Sequence, residues 1–367
     1  MAGHRSILLT GGTGFLGPFL LSSLLAQTDA IVHVLVRAEN PTSARERLLN
    51  ELKASGAGNS TTIEAFNRRV VPISGYLERS NLGLSLNQWC ALSKEIDVVF
   101  HNAALVNYLF TYERVRAANV SGTSELLRLA FEGRPKEFNH ISTTFIFGWA
   151  TKHRLYETDG NDEMALLDFG YSQSKWVSEQ LVNKARRAGL LTRIFRPALV
   201  TPSIDGAGST FDITIRLLTF MIKHGIGVSA MNQVSFVPVD VTANNIVAIS
   251  QLPQTLNRTF HVTRDRYANM IEVTDILSSK IGCRFKLFPL RDFVPEVIRL
   301  CTKEDILFPL LDFFISSIDN ISTMEFKRYD SSLYQSARDA SIFSRSDPSL
   351  EQTIDGILAF IRRHQLL

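Results

Sequence analysis

The chain has 367 residues, 45% hydrophobic and 20% charged, which excludes a disordered or fibrous protein and fits one large α/β unit or a core domain with a smaller companion. Its formal charge of +3, with no lysine- or arginine-rich tract, argues against a nucleic-acid partner. Three scattered cysteines (Cys90, Cys283 and Cys301) form neither a disulfide framework nor a metal site, and a reducing, cytosolic compartment fits them best.

In chain order, short β-branched runs alternate with helical periods through the first two hundred residues. Strands are expected at residues 6–10, 31–36, 69–74, 97–101, 138–142 and 191–195, and helices at 18–26, 44–54, 114–131 and 170–188. The last of these helices closes on Arg186-Arg187-Ala188-Gly189, basic residues and then a glycine, as helix C-termini prefer. The pattern is that of βαβ units: an α/β fold, a Rossmann-type doubly wound parallel sheet with a smaller, mainly helical C-terminal substrate lobe. Residues 1–200 are expected to form the dinucleotide-binding domain, completed by about 233–263, with 201–232 and 264–367 as the lobe. Within these later stretches, helices are expected near 211–223 and at 350–364, a short segment at 235–241, and irregular structure beyond about 264. Residues 306–318 read as a buried or pocket-lining helix, too short to span a bilayer, and no secretory signal is visible.

The first strand runs straight into Thr10-Gly11-Gly12-Thr13-Gly14-Phe15-Leu16-Gly17, which opens a helix. That is the context a dinucleotide fingerprint requires: Gly11 for the tight turn, Gly14 for approach to the pyrophosphate, Gly17 for helix–strand packing. The helix N-terminus favours the phosphates. The second strand ends in Val36-Arg37-Ala38, with no acidic residue at its tip to hold ribose hydroxyls. Arg37, with Arg47 on the next helix, suits a 2′-phosphate, so NADPH is the expected cofactor. After the fourth strand, the small side chains of Asn102-Ala103-Ala104 let the cofactor lie close. Asn107, Pro197, Tyr171 and Lys175 complete the expected cofactor-binding set, Lys175 by contact with the nicotinamide ribose.

Tyr171-Ser172-Gln173-Ser174-Lys175 supplies the reacting groups. Free tyrosine ionises near pH 10, and a lysine one turn on shares its helix face and can lower that value. Such a phenol protonates an oxygen that is becoming an alkoxide. Thr143 is chosen over Ser142 and Thr144 as the hydroxyl that fixes the carbonyl. Asn119 is expected to hold a water between Lys175 and solvent, and His101 to be a packed strand-end residue.

These residues resemble the extended short-chain dehydrogenase/reductase superfamily. More narrowly, the chain is similar to the thioester reductase domains of nonribosomal peptide and polyketide synthetases, carboxylic acid reductases and aminoadipate reductase. The narrower likeness rests on the glycine turn, on Leu35-Val36-Arg37-Ala38, on Val99 to Ala104 with Val106-Asn107, on Asn119 to Leu127, on Gly170 to Glu179, and on Phe236 to Asp240. It implies NADPH-dependent reductive release of an acyl or peptidyl group from the phosphopantetheine arm of a carrier protein, giving an aldehyde, with further reduction to the alcohol left open. It also implies a Thr/Tyr/Lys catalytic set, carried onto Thr143, Tyr171 and Lys175. One departure stands out: where relatives often show Gly-Asp-Leu, with the Asp near the adenine, this chain has Gly75-Tyr76-Leu77. A fatty acyl-CoA reductase is the main alternative. A sugar-nucleotide epimerase or dehydratase of the same superfamily fits less well, and a non-enzymatic NADP(H) sensor least, since it would not need the Tyr171/Lys175 pair.

Overall fold

The structure, a computed structural model, describes residues 5–148, 152–161, 163, 164, 167, 169–209, 212–230, 233–316 and 328–367, with the side chains of 313 and 314 excepted. Seven strands form one parallel sheet: β1 Ser6–Thr10, β2 Ile31–Val36, β3 Val70–Ser74, β4 Val98–His101, β5 Glu137–Ile141, β6 Thr192–Pro197 and β7 Arg258–Val262. Their order is β7-β6-β5-β4-β1-β2-β3. Strand order reverses between β1 and β4, so the crevice at their C-terminal ends is the place where such sheets bind ligands.

Both faces of the sheet are covered. Ile7, Leu9, Val34 and Phe100 pack with Leu20 and Leu24 of helix Gly17–Gln27 and Ala243 and Val247 of helix Val239–Ser250. Alternate residues Leu8, Leu35, Val99 and Phe138 face the other way, against Trp89, Leu126 and Val182. That period-two division of near-continuous apolar strands is what a parallel sheet buried on both sides demands.

The six expected strands are present within a residue or two. β7 was not expected as a separate strand; it lies inside the 233–263 stretch and pairs with β6 from Arg258↔Arg193 to Val262↔Pro197. Helices Ser60–Arg69 and Leu86–Glu95 are also additional. Asn59 caps the first and a Ser85/Gln88 capping box starts the second. Beyond residue 264 the chain is more regular than expected. Helix Met270–Ile281 starts at an Asn269/Glu272 capping box and stops at left-handed Gly282, and helix Leu290–Leu300 follows. Residues 306–316 do not form one buried helix. A 3₁₀ turn Phe308–Leu310 leads into helix Leu311–Ser316, with Leu307 and Leu310 buried but Phe308 and Ile315 exposed, and residues 317–318 lie outside the described residues.

A second core, including Leu218, Met221, Val273, Val297, Ile357 and Phe360, gathers these later helices into the lobe. The paired strands Leu199–Thr201 and Phe236–Pro238 form a parallel ribbon where the chain leaves the sheet and returns to it. Helix Ser332–Asp339 packs instead on the sheet side, where Tyr334 and Ala337 join the first core. Among the described residues no helix is long and apolar enough to cross a membrane.

Candidate active site

The glycine turn is shaped by contacts inside the protein. Gly11 has φ +74°, and a Cβ there would lie 2.7 Å from the Ala103 backbone; one on Gly17 would lie 2.0 Å from the Gly11 carbonyl oxygen. Gly12 is constrained by a side chain instead: a Cβ there would lie 2.6 Å from Val34 Cγ1. Gly14 differs: a Cβ there would meet only Gly11 O, at an ordinary 3.5 Å. The protein's own packing therefore does not require glycine at 14, whereas the close approach of a pyrophosphate would. Thr13 and Phe15 are half-buried and Leu16 is buried, Phe15 and Leu16 packing into the first core. The residues present fit a dinucleotide.

At the far end of that crevice Arg37 is exposed, and Arg47 Nη1 donates to its carbonyl at 2.8 Å. Tyr76 fills the corner after β3. Its hydroxyl donates to Ala38 O at 3.3 Å, Ser74 Oγ donates to the same oxygen, and the Arg79 guanidinium stacks 4.0 Å above the Tyr76 ring.

The tyrosine helix, Gly170–Arg187, begins where only glycine fits: a Cβ on Gly170 would lie 2.4 Å from Tyr112 N. Tyr171, Ser174, Lys175 and Ser178 then fall on one buried face at i, i+3, i+4 and i+7. Ser178 Oγ donates to Asn119 O at 2.9 Å, and Asn119 Nδ2 donates to Ser174 Oγ at 2.9 Å. Asn119 sits in a π turn, Ala117–Ser121, and also grips the Leu105 backbone, accepting from its N–H at 2.7 Å. It thus joins the tyrosine helix to the loop after β4, a bracing role that the expected water contact does not include.

Proton positions in the neighbouring network follow from its donors. Thr123 Oγ1 gives its proton to Asn119 O (2.5 Å), so it must accept from His101 Nε2–H (2.8 Å). Burial holds His101 neutral, its pKa well below the ordinary value, so Nδ1 accepts from Thr10 Oγ1 (2.9 Å), which itself accepts from Ala103 N–H (3.1 Å). Asn102 Nδ2 donates to Gly11 O at 3.1 Å. His101 is therefore a brace between the glycine turn and the Asn119 helix. Asn107 caps the following turn by accepting from Leu109 and Phe110 N–H, and Pro197 ends β6, buried.

Lys175 Nζ donates to Ile141 O at 2.7 Å and lies 3.4 Å from His140 Nε2. Burial lowers its pKa to about 8, offset in part by the charge of Glu179. Burial pushes the Tyr171 phenol above its ordinary value, so it is protonated at neutral pH; the expected lowering by Lys175 is not seen in the chain alone. Thr143 Oγ1 accepts from Phe145 N–H at 3.2 Å. Thr144 hydrogen-bonds Tyr329, and Ser142 Oγ is buried with no partner among the described residues. The Tyr108 ring links the segments that carry Tyr171 and Thr143, with its centroid 6.2 Å from Tyr171 and 6.0 Å from Phe145. A cleft of about 560 Å³ on another face of the tyrosine helix, lined by Trp176, Gln180 and Arg258, includes none of these groups.

A family profile described as male sterility protein, an NAD-binding family, matches residues 9–246, well over half of the chain. The chain belongs to this family. Its likeness extends to the terminal R domain of the myxalamid PKS-NRPS pathway, at 33% identity and TM-score 0.91 over 100% of this chain and 93% of that one. A linear gramicidin synthase polypeptide of Brevibacillus parabrevis is 37% identical over 77% of this chain and 6% of its own length. The L-2-aminoadipate reductase large subunit of Candida glabrata is 34% identical over 69% of this chain and 20% of its own length. The chain thus spans a fifth or less of these curated relatives. It is an oxidoreductase with a Rossmann-type nicotinamide-dinucleotide fold, similar to the reductase domains that end such synthetases.

Several residues of this reductase fold escaped the sequence reading. Gly12 is set by the close Val34 side chain and Gly170 by close backbone contacts, and the Thr-Gly-Gly and Gly-Tyr pairs were their signals. Ser174 and Ser178 were legible as helix-face neighbours of Tyr171. His140, the one histidine of strand Glu137–Ile141, gave none.

Proposed function

We propose that the chain is an NADPH-dependent thioester reductase that releases a carrier-bound acyl or peptidyl group as an aldehyde. One observation carries this reading: Tyr171 and Lys175 lie buried at the sheet's C-terminal edge, with Lys175 held on Ile141 two residues before Thr143. Arg37 at the tip of β2, with no carboxylate beside it on the strand, supports NADPH over NADH.

Bound NADPH supplies the hydride. Thr143 and Tyr171 hydrogen-bond the thioester carbonyl oxygen and stabilise the charge it gains as the carbon is reduced. Tyr171, protonated because it is buried, gives that oxygen its proton, and the Lys175 ammonium steadies the phenolate left behind. The hemithioacetal then collapses: its hydroxyl proton leaves with the sulfur, the C–S bond breaks, and aldehyde and free thiol separate. The partner in this reading is a carrier domain bearing phosphopantetheine, and the compartment is the cytosol.

The test is NADPH oxidation with a panel of acyl-pantetheine thioesters and the matching acyl-CoA esters, the products identified by mass spectrometry. Aldehyde formed from the pantetheine series is the expected result. Oxidation only with acyl-CoA esters, or with no thioester at all, overturns the assignment.

A further inference from the structure

Lys175 touches a side chain to which the mechanism above gives no role. His140 lies in β5, completely buried, between His101 of β4 and the tyrosine helix; the two imidazole centroids are 5.3 Å apart. Its Nε2 lies 3.4 Å from Lys175 Nζ, while its Nδ1 finds no hydrogen-bond partner among the described residues. The other fully buried histidines differ. His101 uses both ring nitrogens, on Thr10 and Thr123. His261 also uses both: Nδ1–H donates to Asp330 O, and Nε2 accepts from Arg196. A histidine kept only for packing would be expected to settle both nitrogens in the same way. His140 instead leaves one polar atom unmatched and turns the other toward the lysine.

Resting on the reductase reading, we propose that His140 is a positioning residue of the reaction, a neutral imidazole whose Nε2 accepts from the Lys175 ammonium and keeps that lysine charged and aimed beside Tyr171.

An ammonium has only donors, so the imidazole nitrogen facing it must be the bare one. The surroundings enforce that state. Lys175 faces His140 on β5, His101 on β4, and Tyr171 and Glu179 on its own helix, and Glu179 is bound bidentately by Arg196 of β6. With Lys175 charged, a second cation in this buried group is strongly disfavoured, and both histidines are held well below their ordinary pKa by burial and by Lys175. Two acceptors, Ile141 O and His140 Nε2, then remain to offset the desolvation of the lysine. Removing the imidazole leaves one.

The direct readout is the titration of Lys175 Nζ, followed by NMR in protein labelled with ¹⁵N-lysine and assigned by comparison with Lys175→Arg. In His140→Leu the midpoint should fall by about one pH unit, since the charged form loses an acceptor. His140→Gln, whose Oε1 reaches the place of Nε2, should restore it. The alkaline limb of the turnover profile should move in the same way, with NADPH affinity unchanged. Equal midpoints in all three proteins, or a Gln variant that behaves like the Leu variant, overturn the proposal. Because the titration needs no substrate, failure of the wild-type protein to reduce thioesters would count against the reductase reading and leave this result to be judged separately.

Discussion

In the proposed reaction, Tyr171 is the residue on which the chemistry turns. It is buried and protonated, and it is braced by a helix face whose serines are tied to Asn119. Tyr171→Phe keeps the ring and its contact with Tyr108 but removes the proton. Turnover should fall by about 10²- to 10⁴-fold while NADPH affinity, measured by fluorescence titration, stays close to wild type. Arg37 offers a second test at this scale. A charge-assisted contact to a phosphate contributes about 1.5–3 kcal/mol, so Arg37→Ala should weaken NADPH binding by about tenfold or more and leave NADH binding unchanged. Equal losses for the two cofactors would remove Arg37 from phosphate recognition. Both residues were legible in the sequence because each belongs to a local pattern, an i,i+4 pair or a strand tip. His140 was not, because its meaning depends on Lys175, 35 positions away, and on a nitrogen that nothing local satisfies.

Among the elements, the glycine turn gives the sharpest contrast. Gly11 and Gly14 look alike in the sequence, but a methyl on Gly11 would meet the Ala103 backbone at left-handed φ, and a methyl on Gly14 would not. Gly11→Ala should therefore destabilise the fold by about 1–3 kcal/mol in thermal or urea unfolding. Gly14→Ala should leave stability near wild type and lower dinucleotide affinity. If both variants lost only stability, the turn would have no ligand-facing glycine. The strands of the first domain were readable because β-branched runs alternate with amphipathic helices. Helix Leu290–Leu300 was not, since Pro295 sits inside it and reads as a break. The caps of helices Ser60–Arg69 and Leu86–Glu95 were present in the sequence as Asn59 and as Ser85 with Gln88, although neither helix was expected.

For the whole molecule, what local pattern could not reveal is how the late chain returns to the sheet. Glu157 is the clasp: its buried carboxylate accepts N–H groups from His261 on β7 and from Leu333 and Tyr334 at the start of helix Ser332–Asp339. Contacts so distant in sequence leave no periodic trace. Burial raises the Glu157 pKa to about 7 against an ordinary 4.5. The folded state thus binds a proton more tightly than the unfolded one, and the stability this contributes is complete below about pH 4.5 and lost as pH rises toward 7. Glu157→Gln cannot lose it. Whatever its offset at pH 4.5, the variant should gain stability relative to wild type as pH climbs to 7, as read from paired melting curves. A constant difference across that range would show that the carboxylate does not titrate there.

The same molecule holds a continuous line of hydrogen bonds from Ala103 through Thr10, His101 and Thr123 to Asn119, and onward to Ser174 and Ser178. It welds the nucleotide seat and the phenol into one block, so neither can shift without breaking several buried bonds at once.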